Sequence, residues 1–296
     1  MRPAALNSHR RTATFIGFSA VLMWSLLAWL TAASGNVPPL QLTAMAFAVG
    51  GILGLGVIAA LGRLGEVRQP WQAWAVGVGG LFGYHLMYFT ALRAAPPVEA
   101  GLIAYLWPLL IVLFSALLPG ERLRWYHVVG ALLGLAGTVL VVTKGQGVSI
   151  DTGYMPGYLA ALACALIWSV YSILSRRLAA VPTGAVAGFC IATAILSGIA
   201  HLALEVTVWP SGLEWLAVLA LGALPVGAAF YVWDYGVKHG DIQVIGASAY
   251  AAPLLSTAVL MLTGYASPTL ALALAAVLIA GGGVLASRDV LFRKSG

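Results

Sequence analysis

The sequence predicts an all-α integral membrane protein with ten transmembrane helices, built as two inverted five-helix repeats around a central cavity. Three observations predict it. The 296-residue chain is 61% hydrophobic and 8% charged, about a third of the charge a soluble domain carries, and its mean hydropathy is +0.96. Apolar runs of about 20 residues, the length that crosses a bilayer's hydrocarbon core, recur between short polar breaks. The second half of the chain also echoes the first at a fixed offset.

The runs fall at 12–32, 40–61, 71–91, 98–118 and 125–143, then at 156–175, 184–204, 214–236, 242–263 and 268–287. The first follows Arg2, Arg10 and Arg11, as a secretory signal would. It is too long for a signal core and is followed by further spans, so it is expected to persist as a membrane helix. The breaks carry helix-ending residues, as in Gly35-Asn36-Val37-Pro38-Pro39, Pro96-Pro97 and Ser267-Pro268.

Orientation follows from the basic residues, which mark cytoplasmic loops. One side receives Arg2, Arg10, Arg11, Arg63, Arg68, Arg122, Arg124, Arg176, Arg177, Lys238, Arg288, Arg293 and Lys294. The other receives Arg93 and Lys144. Thirteen against two predicts that both termini are cytoplasmic, in a bacterial-type inner membrane, and that the number of spans is even.

The stretch from Lys144 to Met155 separates a first repeat at 1–145 from a second at 153–296, with 146–152 as the linking loop. An offset of 145 carries Tyr105-Leu106-Trp107-Pro108 onto Tyr250-Ala251-Ala252-Pro253, Arg93 onto Lys238, Gly101 onto Gly246 and Gly137 onto Gly282. Trp24-Ser25 matches Trp168-Ser169 near that offset. Each half has an odd number of spans, so the second inserts upside down. Halves of opposite topology can exchange conformations to open toward either side, which is the logic of a carrier.

Other classes find less support. The basic residues are scattered rather than clustered, which argues against nucleic acid as a partner. Cys164 and Cys190 lie inside apolar runs and read as small buried hydrophobes, with neither disulfide nor metal spacing. No His-Glu-x-x-His, Gly-x-Ser-x-Gly or phosphate-binding Gly-x-x-x-x-Gly-Lys-[Ser/Thr] occurs, so no catalytic residue, metal ligand or cofactor is expected. A membrane-embedded enzyme or a channel without a recognisable motif remains the alternative. Transport would draw on the substrate gradient or on protons.

Trp-Ser in the first span and its counterpart, the Tyr88 to Arg93 end of the third span and the Pro-bearing fourth span together resemble the EamA type of the drug/metabolite transporter superfamily. The run Glu99-Ala100-Gly101-Leu102-Ile103-Ala104-Tyr105-Leu106-Trp107-Pro108 is similar to the YddG type within it. That resemblance implies alternating-access export of aromatic and other neutral amino acids, and tolerance to flat cations such as paraquat. The partners it implies are a small-molecule substrate, cationic drugs included, and the lipid bilayer. The second half carries Ala251-Ala252 where the first has Leu106-Trp107, so the two halves offer unequal ligand surfaces.

Aromatic residues sharpen the site. Trp71, Trp74, Trp125, Tyr126, Trp209, Trp215 and Tyr265 fit the interfacial belt. Trp24, Trp107 and Trp168 lie about 15–18 Å into their spans, and Tyr84, Tyr88, Tyr105, Tyr171, Tyr231 and Tyr250 are also deep. Each needs a partner for its polar atom, supplied either by helix packing or by a wet cavity. The expected substrate-binding set is Tyr84, His85, Tyr88, Tyr105, Trp107, Trp168 and Tyr231. Tyr84 and Tyr88 share a helix face. Between them His85 is an ionisable group within a span, or else a neutral ring bonded to a nearby carbonyl; the resemblance implies that Tyr84-His85-x-x-Tyr88 faces substrate.

Pro108 and Pro253 break the backbone ladder at equivalent depths and are candidate hinges or gates; Pro225 adds a kink. Asp234 and Lys238 read as a surface i,i+4 pair. Glu99 suits a helix N-terminus, or alternatively an incoming ammonium group. Gly50, Gly54, Gly79, Gly83, Gly130 and Gly134 read as close-packing positions.

Overall fold

Helices supply all the regular secondary structure among the residues that the computed structural model describes, which are 3–146, 151–264 and 267–288. Nine helical bodies are long and apolar enough to cross a membrane: α1 (Ser8–Ala33), α2 (Pro39–Ala60), α3 (Trp71–Ala94), α4 (Pro97–Leu117), α5 (Trp125–Thr143), α6 (Thr152–Arg177), α7 (Thr183–Leu204), α8 (Glu214–His239) and α9 (Ile242–Leu262). A shorter apolar helix, α10 (Leu270–Ala286, 17 residues), completes the described chain. Arg2, Tyr265, Arg293, Lys294 and most of the linking loop lie outside the described residues.

Four of these bodies are interrupted. α4 breaks at Tyr105-Leu106 and α9 at Ala249-Tyr250. Each break lies just before a proline, Pro108 or Pro253, which has no N–H and whose ring crowds the carbonyl four residues back. α8 widens into a π turn over Leu224–Ala228, around Pro225. α1 breaks at Ser25-Leu26 without a proline; there the Ser25 hydroxyl donates to the Leu22 carbonyl at 2.6 Å and competes with the helical ladder. Its counterpart Ser169 sits in the unbroken α6, bonded to the carbonyls of Ala165 (2.7 Å) and Trp107 (3.0 Å).

The closest helix pairs are α2 with α7, α5 with α10, α3 with α6, and α1 with α8, and α4 lies against α6 and α9. Glycines permit the approach. A Cβ on Gly50 would stand 2.7 Å from the Cα of Gly227, and one on Gly130 would stand 2.5 Å from the Gly282 carbonyl oxygen. On α3 the expected positions shift: Gly79 faces open space and Gly83 makes only ordinary contacts, while Gly77 and Gly80 take the rings of Phe189 and Tyr171.

Polar side chains tie the helix ends together. At one end Arg10 donates to Glu121 (2.9 Å) and Asp241 (3.1 Å). Arg176 reaches Glu121 at 2.5 Å and the carbonyls of Val237, Lys238 and Gly240 at 2.8–3.0 Å, closing the C-terminus of α8. At the opposite end Glu205 accepts from the backbone N–H groups of Leu40 and Gln41, both at 3.1 Å, where α2 begins. Arg93 and His201 complete its shell. Trp71, Trp125 and Trp209 project outward as the interfacial belt requires, but Tyr126 is buried.

Candidate functional site

One continuous set of aromatic rings crosses the interior, drawn from six helices. It begins on α3, where the i,i+4 spacing stacks Tyr84 on Tyr88, with centroids 6.0 Å apart and planes 4° apart. Tyr84 meets Trp168 of α6 at 5.3 Å. Trp168 meets Trp107 of α4 at 6.2 Å, edge-on. Trp24 of α1 touches Trp107 (6.0 Å), Trp168 (5.8 Å) and Trp233 of α8 (5.0 Å). Phe230, one turn before Trp233, stacks on Phe47 of α2 at 5.3 Å, and Phe47 receives the edge of His85 at 5.0 Å.

Five of the seven expected binding residues, Tyr84, His85, Tyr88, Trp107 and Trp168, therefore meet. Tyr105 lies in the break of α4, half-buried, outside these ring contacts. Tyr231 faces away from the rings. It follows Phe230 by one residue, about 100° around the helix, and its hydroxyl donates to the Gly50 carbonyl at 3.1 Å, against α2. The ring site instead includes Phe230, Trp233 and Phe47, which sequence reasoning did not single out, and Trp24, which it recognised only as deep. The i,i+3 spacing of Phe230 and Trp233 was the available signal; Phe47 carried none.

The buried members, Trp107, Trp168 and Trp233, are 6%, 3% and 0% exposed and form a floor, while Tyr84, His85 and Tyr88 keep part of their surface open. No charged side chain enters these ring contacts. Two of the indoles are paired locally: Trp24 Nε1 donates to the Pro225 carbonyl (3.0 Å) and Trp233 Nε1 to the Ser172 hydroxyl (3.2 Å). His85 Nδ1 donates to the Leu81 carbonyl at 2.7 Å. The hydrogen thus sits on Nδ1, and in the neutral form of the ring Nε2 is an acceptor. Such a surface can stack on rings and attract a cation face-on. Among the described residues no three His, Cys, Asp or Glu side chains group as metal ligands.

Pro108 and Pro253 are both buried, and Pro108 directly follows Trp107. Asp234 and Lys238 are not the surface pair expected from sequence, since both side chains are 3% exposed. Lys238 Nζ lies 2.8 Å from Asp234 and donates to the Val181 carbonyl, and Thr183 donates to Asp234. The loop between α6 and α7 covers the pair. Glu99 is half-buried, with one carboxylate oxygen buried and unbonded.

The model of the EamA-like transporter family matches this chain twice, at residues 11–143 and 155–288. The aromatic amino acid exporter YddG of Ancylobacter novellus is 58% identical over 280 residues, covering 94% of this chain and 98% of that protein. The aromatic amino acid exporter YddG of Salmonella typhimurium is 27% identical, covering 83% of this chain and 86% of that protein. A crystal structure 57% identical in sequence superposes with a TM-score of 0.91 over 95% of this chain and 99% of its own.

Proposed function

The chain belongs to the EamA-like transporter family, and we propose that it exports aromatic and other neutral amino acids across the inner membrane by alternating access. It is a multi-pass membrane transporter of small molecules and not an enzyme. The observation that carries the substrate reading is the uncharged ring surface assembled from both halves of the chain. Its buried tryptophan floor matches a flat apolar side chain, and the open edge at Tyr84, His85 and Tyr88 supplies hydroxyls and one ring-nitrogen acceptor. Flat organic cations suit the same faces.

The architecture we propose has ten spans, two inverted repeats, a central cavity and cytoplasmic termini. Helix pairing supports the repeats: exchanging the halves turns α3–α6 packing into α8–α1 packing and leaves α2–α7 and α5–α10 as they are. α10 runs antiparallel to α5, with Gly282 at Gly130 near one face and Ala271 at Gly145 near the other. That placement supports a tenth crossing. Arg10, Arg63, Arg176 and Lys238 lie toward one end of the bundle and Arg93 toward the other, which supports the orientation.

Purified transporter in proteoliposomes, given radiolabelled tryptophan, phenylalanine, leucine or glutamate, tests the proposal. Saturable movement of the first three, with glutamate excluded, is the expected result. Movement of none of them would end the amino-acid reading. Repeating the assay with an imposed pH gradient tells proton coupling from facilitated movement.

A further inference from the structure

In a continuous helix the Leu109 N–H would donate to the Tyr105 carbonyl. The break in α4 removes that bond, and Leu109 N–H donates instead to the hydroxyl of Tyr250 at 3.1 Å. Tyr250 is fully buried at the corresponding break of α9, and it stands 145 residues after Tyr105, the offset of the repeat. The same offset carries Leu109 onto Leu254 and Pro108 onto Pro253. The mirror bond is not made. Leu254 N–H does not reach the Tyr105 hydroxyl, which has no hydrogen-bond partner among the described residues.

The geometry points to a hydrogen-bond exchange between the repeats, with Tyr250 and Tyr105 as positioning residues for the transport step. In the described state Tyr250 closes the break in α4. In the state open to the opposite side Tyr105 closes the break in α9 by accepting from Leu254 N–H. One bond breaks as its mirror image forms, so the two states stay close in energy. An unpaired N–H in a membrane interior is strongly disfavoured, so the hydroxyl selects between states rather than decorating one.

Helix packing agrees. α9 crosses onto both α4 and α5, whereas α4 makes no comparable contact with α10. The Tyr250 ring seats against Gly134, where a Cβ would come within 2.6 Å of it. The counterpart of Gly134 is Ile279, so Tyr105 has no glycine seat in the mirror arrangement. That asymmetry biases the exchange toward the described state.

This inference rests on alternating access, not on the substrate, and its test needs no substrate. Val98 and Leu262, 40% and 89% exposed, lie at the same end of the bundle on α4 and α9. Spin labels at Val98→Cys and Leu262→Cys report their separation in the full-length transporter in nanodiscs; Cys164 and Cys190 are buried. Two distance populations are expected. Tyr250→Phe should move their ratio away from the described state by about two- to tenfold, the worth of one hydrogen bond, and Tyr105→Phe should move it the other way. Shifts of both variants in the same direction, the mark of general loosening, would overturn the exchange, as would unchanged distributions. Tyr105→Phe keeps the test decisive should Tyr250→Phe fail to fold. Opposite shifts in a protein that moves no amino acid would sink the substrate reading and leave the exchange standing.

Discussion

The Trp24 indole N–H donates to the Pro225 carbonyl at 3.0 Å, joining the break in α1 to the π turn of α8. Two irregular stretches of backbone, one from each half, are thus pinned together at the edge of the ring surface. Trp24→Phe keeps an aromatic ring but removes the donor to that carbonyl. Stability is expected to fall by about 1–3 kcal/mol, seen as a lower Tm in detergent. Aromatic-substrate affinity should change less than in Trp24→Ala; equal losses in the two variants would contradict the division of roles.

Trp107 and Trp168 form the buried floor, so removing either should weaken aromatic substrates by about 1–3 kcal/mol, or about 5- to 150-fold. Valine and alanine, which cannot stack, should lose much less. Tyr231→Phe is the contrasting variant: its hydroxyl serves α2 packing, so substrate preference should stay as it is. Competition of unlabelled amino acids against labelled tryptophan measures all three.

Pro108→Ala restores an N–H four residues beyond Ala104 and lets α4 straighten through its break. Straightening draws Leu109 away from Tyr250. Turnover should fall while substrate affinity changes by less than about tenfold, 1.4 kcal/mol; Pro253→Ala should behave likewise. A collapse of affinity at normal turnover would show that these prolines shape the site rather than hinge it.

The proposed orientation predicts which loops meet the cytoplasm. Single cysteines at Arg68 and Gln146, both exposed, should react with an impermeant maleimide only in inverted vesicles for the first and only in intact cells for the second. The reverse pattern would turn the transporter over.

Much of this fold is legible in hydropathy because a span must be apolar for its whole length, whichever way it faces. The breaks at Tyr105-Leu106 and Ala249-Tyr250 were foreseeable from Pro108 and Pro253. The break at Ser25-Leu26 was not, since a serine that bonds its own backbone looks in sequence like any other. Deep tyrosines and tryptophans announced the site through their polar atoms. Which face of α8 they occupy is hidden, because the π turn at Leu224–Ala228 shifts the phase of everything after it. Sequence depth alone therefore puts Tyr231 among the expected residues, while Phe230 and Trp233 make the ring contacts. Asp234 and Lys238 read as exposed because nothing local reveals that Val181, in the loop before α7, and Thr183, the first residue of α7, bond to them.

The α5–α10 pair has a mechanical consequence for the surrounding lipid. With 17 residues in α10 and 19 in α5, these helices measure about 25 Å and 29 Å, against about 30 Å of hydrocarbon. Leu270, Leu274, Val277 and Val284 face outward, and the glycine contacts between Gly130 and Gly282 hold the two axes close. With α10 as the proposed tenth crossing, the bilayer would thin along this edge, an elastic deformation of fractions of a kcal/mol per Å of mismatch. Acyl-chain length becomes a control on the protein: short-chain lipid should relax this flank, and long-chain lipid should load it.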